Sequence, residues 1–166
     1  MNKIIIRPAR PEEYPQIGEL TVAAYLAIEN ANNAVIDDYM DDLRDVKARA
    51  KDAEVLVAVD EEDAVLGAVT LVLDTSSPMA EWDEPGVAGF RMLAVAPEVQ
   101  GKGVGKLLAE HCVARARDAG AHAVLIHSRH TMTAARGIYA NMGFRRYPEL
   151  DFAVEDIQLD GFRLDL

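Results

Sequence analysis

The stretch Val95-Ala96-Pro97-Glu98-Val99-Gln100-Gly101-Lys102-Gly103-Val104-Gly105-Lys106 limits what this chain can fold into more than any other segment. An apolar run that reads as a strand precedes it, and a helical repeat follows it. Proline cannot donate to a sheet ladder, so Pro97 ends the strand. Glycines at alternate positions then let the backbone turn where a side chain would block it. The first N–H groups of the helix that follows lack intrahelical partners and lie at the positive end of its dipole. Such a turn is an anion cradle, flanked here by Lys102 and Lys106.

Counting excludes two familiar phosphate loops. A P-loop ending at Gly105-Lys106 needs glycine at 100 and Ser or Thr at 107, where the chain has Gln100 and Leu107. A dinucleotide fingerprint counted from Gly101 and Gly103 needs a third glycine where Lys106 stands. The pattern that fits is Gln/Arg-x-x-Gly-x-Gly/Ala, filled by Gln100, Gly103 and Gly105. Further along, Ala135-Arg136-Gly137-Ile138-Tyr139-Ala140-Asn141-Met142-Gly143-Phe144 matches Ala-x-x-x-Tyr-x-x-x-Gly-Phe. It reads as a short helix with Ala135, Ile138 and Met142 on one face, closed by Gly143 and followed by a strand from Phe144.

In these two motifs the chain resembles the GNAT family of N-acetyltransferases. The resemblance is strong over residues 85–147, while the N-terminal half fits in its element order. It implies a single α/β domain over residues 1–166, a mixed sheet flanked by helices of the acyl-CoA N-acyltransferase type. It further implies transfer of an acetyl group from acetyl-CoA to a primary amine by direct attack in a ternary complex, without a metal. By resemblance the cofactor lies against Leu93, Ala94 and Val95 on the strand, Gln100, Gly101, Lys102, Gly103, Val104, Gly105 and Lys106 in the loop, and Ala135 on the later helix. Backbone N–H groups from Ala94 to Ala96 polarise the thioester, and Tyr139 gives its proton to the departing sulfur. An ordinary tyrosine, with a pKa near 10, is protonated at neutral pH and can act as that donor. A non-catalytic acyl-CoA-binding or sensing module on the same fold is the alternative.

The rest of the chain is consistent with this reading. At 166 residues it is long enough for one domain with a real core. Apolar residues make up 50% of it, yet no run is long enough to span a bilayer, and no membrane partner is expected. Met1 to Ile6 is too quickly interrupted by Arg7-Pro8 for a secretory signal, and the single Cys112 suits a reducing cytoplasm. Strands are expected at 3–7, 54–59, 65–73, 87–96 and 122–127, with closing strands at 145–154 and 161–166. Helices are expected from Pro11, with Ile17, Leu20, Thr21, Ala24 and Ile28 on one face, and from Asp37, with Tyr39, Leu43, Val46 and Ala50 inward. The helix after the glycine loop carries Val104, Leu107, Leu108, Cys112 and Ala116 on one face and stops at Gly120.

Charge is unevenly spread. The chain has 17 basic and 28 acidic residues, a net charge of −11, which argues against a general nucleic-acid binder. Residues 101–146 nevertheless hold Lys102, Lys106, Arg115, Arg117, Arg129, Arg136, Arg145 and Arg146 against Glu110 and Asp118. Residues 29–45 hold Glu29, Asp37, Asp38, Asp41, Asp42 and Asp45 against Arg44, and residues 60–84 carry acids without a base. This suits a polyanionic cofactor on one side and a small-molecule or peptide amine, cationic in character, on the other, unless the acids are ordinary solvated loop residues. The chain is expected as a monomer or homodimer.

Two positions depart from the family pattern. An asparagine common seven residues before the tyrosine is Met132 here, with Thr131 or Thr133 as replacements. A glutamate common on the central strand is absent from Gly89-Phe90-Arg91-Met92-Leu93. A base has to come from elsewhere, with Glu81, Asp83, Glu84 and Glu29 as candidates, or from solvent water. Cys112 reads as a packed core thiol, and His127-x-x-His130 lacks a third ligand for a metal. Trp82 either caps an acceptor pocket or shields the core edge.

Overall fold

Strand β1 (Ile5–Pro8) pairs antiparallel with β2 (Glu54–Val59), β2 with β3 (Val65–Val72), and β3 with β4 (Val87–Val95). This is the sheet of a computed structural model that describes residues 3–29 and 37–166. The chain between β1 and β2 forms α1 (Tyr14–Glu29), α2 (Asp37–Arg44) and the short α3 (Val46–Arg49). After β4 come α4 (Val104–Asp118), β5 (Ala123–Ser128), α5 (Thr133–Asn141) and strands β6 (Arg145–Arg146), β7 (Phe152–Val154) and β8 (Ile157–Asp165). The strand order is β1-β2-β3-β4-β5-β8-β6, with β7 paired to β8, and β4 with β5 is the parallel pair. The expected mixed α/β sheet flanked by helices is what forms.

Both faces of the sheet are covered, which is why β2, β3 and β5 are buried nearly end to end. On one face Ile17 and Val46 pack against Val55, Val57 and Val59. On the other, Val104, Leu108, Cys112 and Ala116 of α4 lie on Leu56, Ala58, Leu71 and Phe90. Leu107, expected on that inner face, is exposed instead, because the buried stripe of α4 turns toward Ala109 and Val113.

Two further expectations are corrected. The second helix is broken at Asp45, whose carboxylate caps the N–H of Ala48 and starts α3 afresh. The buried Arg49 then donates to the carbonyls of Asp42, which also accepts from the N–H of Asp45 at 3.2 Å, and of Leu43 at this helix end. The closing segment is not two long strands. A turn at Pro148–Leu150 interrupts it, and β7 and β8 form a hairpin at Glu155–Asp156.

One feature of the sheet decides where a site can lie. Strands β4 and β5 pair over Val87↔Ala123, Ala88↔Val124 and Gly89↔Leu125 only, although β4 runs on to Val95 and β5 to Ser128. Beyond Gly89 the two strands part. Strand β4 also carries a bulge: Arg91 faces Thr70 and Ala94 faces Ala68, so Met92 and Leu93 share one partner position, and Met92 has φ 56°. A bulge bends its strand and leaves a backbone group unpaired, and a left-handed non-glycine residue within a strand, unlike Asp63 and Glu155 in their turns, is strained.

Candidate functional site

The glycine loop closes the end of β4 as its sequence requires. Gln100 folds back, its Nε2 3.4 Å from the carbonyl of Val95. Gly101 and Gly103 have φ of +79° and +86°, where an L side chain is strained, and a Cβ on either would meet nothing within 4 Å. The loop is therefore open on its outer side. Gly103 caps α4 and accepts from Leu107 N–H at 3.1 Å, so the N–H groups of Val104, Gly105 and Lys106 are first-turn donors without intrahelical acceptors. Lys102 is exposed, and Lys106 shares its charge with Glu110 at 3.8 Å. Helix α4 is 15 residues long, so its dipole is fully developed at this end. The arrangement fits a polyphosphate.

Gly105 has a different role. A Cβ there would press on Ile138 of α5 and Val95 of β4, so this glycine lets the helix start close to both. Ala135 lies on the same inward side of α5, packed on the core of the α4 face. Tyr139 is buried between Phe90, at 5.8 Å between ring centroids, and Phe144, at 5.7 Å. Burial raises the Tyr139 phenol well above its ordinary pKa, with Cys112 adding to the effect, so the hydroxyl keeps its proton. Cys112 is likewise raised by burial and is an inert core thiol.

On the opposite face of the sheet, in front of the gap between β4 and β5, lies a cavity of about 360 Å³. Tyr25 of α1, Tyr39 of α2, Met92 of the bulge, Met132 and the β7–β8 hairpin supply its apolar lining. Its polar groups are Asp42, Glu81, Arg91, His127 and Arg129. Glu81 descends from the loop before β4 and stands 3.6 Å from Arg91 and 3.8 Å from His127. Burial pushes the Glu81 carboxyl up, but His127 and Arg91 outweigh it and hold the group below its ordinary pKa. His127 Nε2 is 2.7 Å from the carbonyl oxygen of Leu150. Burial lowers the pKa of Arg129, and Tyr25 partly offsets this.

The structure thus sorts the residues singled out in the sequence. Leu93, Val95, the loop from Gln100 to Lys106, Ala135 and Tyr139 gather on the α4–α5 face. The N–H of Ala96, expected to point at a ligand, is instead spent on the carbonyl of Leu66 at 2.8 Å. Of the carboxylates considered as a base, Glu81 reaches the cavity. Glu84 is held by Arg163 and His122, Asp83 is exposed, and the side chain of Glu29 lies outside the described residues. Part of the excess acid serves turns and ion pairs. Asp63 pairs with Arg7 and Arg10, Asp60 caps the β2–β3 turn, and Asp74 caps Ser76. Asp42 and Glu81 face Arg91 and Arg129, so the cavity is mixed in charge rather than acidic; the side chains of Asp37 and Asp38 lie outside the described residues. His127 and His130 diverge, the second pointing to solvent near Asp160. Trp82 shields the core edge, covering Gly89 and bonding to Thr75 at 3.2 Å. Thr133 is exposed, whereas the Thr131 hydroxyl is buried without a hydrogen-bond partner among the described residues.

Sequence reasoning missed His127, Arg91, Tyr25 and Tyr39 as cavity residues. A signal existed for His127: a titratable residue at the last turn of an otherwise apolar buried strand. Tyr25 and Tyr39 come from helices whose pattern says which face is inward but not what that face meets.

Comparison with known proteins agrees with the geometry. The acetyltransferase (GNAT) family profile matches residues 16–144. A mycothiol acetyltransferase from Pseudarthrobacter chlorophenolicus is 35% identical over 63 residues, which is 38% of this chain and 20% of that protein. The chain therefore matches about a fifth of that relative's length. A GNAT family acetyltransferase from Brucella melitensis, solved in complex with acetyl-CoA, is 26% identical with a TM-score of 0.64, covering 100% of this chain and 92% of that one. The fold is also that of yncA, a putative acetyltransferase from Salmonella typhimurium solved with its cofactor acetyl-CoA (TM-score 0.67, 21% identity, 99% and 95% covered). With the profile running from the first helix to the strand after Tyr139, and the glycine loop and parted strands inside it, this chain belongs to the GNAT acetyltransferase family.

Proposed function

We propose that this protein moves an acetyl group from acetyl-CoA to a primary amine, in one ternary complex. The observation that carries the reading is the gap between β4 and β5. It joins an anion cradle on one face of the sheet to a cavity on the other, so two substrates can meet edge to edge without displacing each other. Acetyl-CoA supplies an activated acyl carbon when bound. The open N–H groups at the start of α4, with Lys102 and Lys106, hold its pyrophosphate. Thr131, a buried hydroxyl without a partner among the described residues, takes the place of the family's asparagine beside the pantetheine chain. The polarising N–H belongs to the bulge at Met92–Leu93, which leaves a backbone group unpaired, rather than to Ala96.

Tyr139 is the general acid in this reading, since burial keeps its hydroxyl protonated far above neutral pH. Glu81 supplies the carboxylate that β4 itself lacks, which favours catalysis over a sensing role. The cavity of about 360 Å³, with apolar walls and a few polar groups, suits the amine end of a small molecule or of a peptide. The test is CoA release from acetyl-CoA with a panel of amines: tyramine, spermidine, lysine, glycine amide and a short peptide with a free N-terminus. CoA release above the rate of hydrolysis with at least one amine is expected. Binding of acetyl-CoA without release for any amine points to the non-catalytic alternative.

A further inference from the structure

We infer that His127 is the base that takes the proton of the acceptor amine, positioned for it by Leu150 and Glu81. The inference rests on the acetyltransferase reading and goes beyond it, because neither motif of the chain contains a base.

The tautomer follows from the partners. A carbonyl oxygen only accepts, so the Nε2 that lies 2.7 Å from the carbonyl of Leu150 carries the hydrogen. In the neutral ring Nδ1 is then the lone-pair nitrogen. It lies 3.8 Å from Oε1 of Glu81, too far for a direct hydrogen bond. Two acceptors side by side in a cavity need a donor between them, and 3.8 Å is a span that one N–H-bearing group can bridge. A protonated primary amine supplies that donor with hydrogens to spare. Arg91, 3.6 Å from Glu81, favours the carboxylate against the opposing effect of burial, so Glu81 attracts the ammonium while the imidazole removes its proton.

The ring is fixed as well as poised. Its side chain is nearly buried, its other nitrogen is tied to the backbone at Leu150, and the Phe152 ring meets it edge-on at 4.7 Å between centroids. Its place along the sheet is right for the chemistry. Leu125 pairs with Gly89, so His127 stands across the gap from Arg91, one residue before the Met92 bulge. The groups facing it are Glu81 from the loop before β4, Arg91 from β4 and Phe152 from β7, with Asp42 and Tyr39 of α2, Tyr25 of α1 and Arg129 completing the cavity.

The ammonium gives one proton to Nδ1 of His127, which becomes an imidazolium paired with Glu81. The freed nitrogen lone pair forms the new C–N bond as the thioester C–S bond breaks. The thiolate takes the proton of Tyr139, and the surplus proton on the amide nitrogen restores the phenol through water. The proton on His127 returns to solvent when product leaves, so the net products are the acetamide, CoA thiol and one proton.

The experiment uses the full chain and the panel amine that gives the fastest CoA release with the wild type. His127→Ala is expected to lower kcat by about 100- to 10,000-fold, the range of general-base loss, while acetyl-CoA still raises the melting temperature. Added imidazole is expected to restore part of the lost rate. His127→Gln, which keeps a donor for Leu150, guards against simple misfolding and is expected to lose kcat to the same degree. Glu81→Gln is expected to raise KM and lower kcat by a smaller factor. Wild-type kcat in both His127 variants, a rise confined to KM, or a loss that imidazole does not lift overturns the base role. A wild type that binds acetyl-CoA but releases CoA with no amine overturns the acetyltransferase reading first, and this inference with it.

Discussion

A Cβ placed on Gly105 would stand 3.3 Å from Cδ1 of Ile138, so the first turn of α4 is pressed directly against the helix that carries Tyr139. Gly103, two residues earlier, is the opposite case: its φ is +86° and its Cβ would enter open space. The same substitution at these two glycines should therefore fail in different ways. Gly103→Asp is expected to fold with a small loss, about 1–2 kcal/mol for a left-handed non-glycine residue, while its charge repels the pyrophosphate and abolishes the acetyl-CoA melting shift. Gly105→Asp buries a carboxylate between Ile138 and Val95 and is expected to lower the melting temperature of the free protein itself. Thermal melts with and without acetyl-CoA separate the two. Equal behaviour of both variants would show that the cradle and the helix contact are not distinct.

Tyr139→Phe keeps the ring between Phe90 and Phe144 and removes only the hydroxyl. Stability and acetyl-CoA affinity should hardly move. The chemical step is expected to slow by about 10- to 1,000-fold as a general acid is lost. Because burial already holds the phenol protonated, the wild type should show no alkaline fall in rate from Tyr139 up to the ordinary tyrosine range. Single-turnover kinetics across pH give both readouts, and an unchanged rate in the Phe variant leaves Tyr139 as packing.

The glycine loop of the proposed site was legible in the sequence, and the cavity on the other face was not. The loop is read locally: Gln100, Gly103 and Gly105 have fixed spacing because backbone geometry over a few residues demands it. The cavity is assembled from six separate stretches, Tyr25, Tyr39–Asp42, Glu81, Arg91–Met92, His127–Met132 and the Phe152–Leu159 hairpin, and no local pattern links them. The bulge at Met92 leaves no mark in the sequence, as no glycine stands there. The break at Asp45 was hidden because Leu43 and Val46 continue one apolar face across it. The charge map left open whether the acids form a field or serve loops: Asp60 and Asp63 are turn residues closed by hydrogen bonds and by Arg7 and Arg10, while Asp42 and Glu81 line the cavity.

Arg49 holds α2 in place, and through it Asp42 and Tyr39 on the cavity wall. It is buried, with its guanidinium bonded to the carbonyls of Asp42 at 3.0 Å and Leu43 at 2.9 Å. Burial lowers its pKa, and the nearby Tyr25 and Tyr39 partly offset this. Arg49→Met fills similar space but takes the guanidinium away from both carbonyls and leaves Asp42 only the N–H of Asp45, a loss of about 1–3 kcal/mol by the cost of stranding a buried acceptor. Urea denaturation should show this loss. The acceptor KM should rise with acetyl-CoA affinity unchanged, because the cradle lies on the other face.

Asp151 pins the hairpin that walls the cavity. Its carboxylate takes two hydrogen bonds of 2.8 Å from Arg146 and one of 2.7 Å from the N–H of Gly161. Arg146, aided by that N–H, draws the carboxyl down to about 2. A group with a depressed folded pKa stabilises the fold above its unfolded value, near 3.9, and loses that contribution as pH falls through its folded value. The stability gap between wild type and Asp151→Asn should be largest at pH 6 and shrink as pH falls from about 4 toward 2. Urea midpoints at pH 6 and pH 3 test this, and a gap independent of pH would mean that the ion pair adds nothing.

Thr131 gives the sharpest separation of folding from binding. Its hydroxyl is buried without a partner among the described residues, and a stranded hydroxyl costs the free protein about 1–3 kcal/mol. Thr131→Val keeps the shape and removes the polar atom. If the hydroxyl waits for the pantetheine chain, the variant should be as stable as the wild type or more so without ligand, yet bind acetyl-CoA less tightly. The loss of one hydrogen bond, about 0.5–1.5 kcal/mol, corresponds to a rise in Kd of about two- to tenfold. Denaturation of the free protein and calorimetric titration with acetyl-CoA read the two effects independently. A variant that is less stable alone, or that binds acetyl-CoA as tightly as the wild type, would remove Thr131 from the cofactor site.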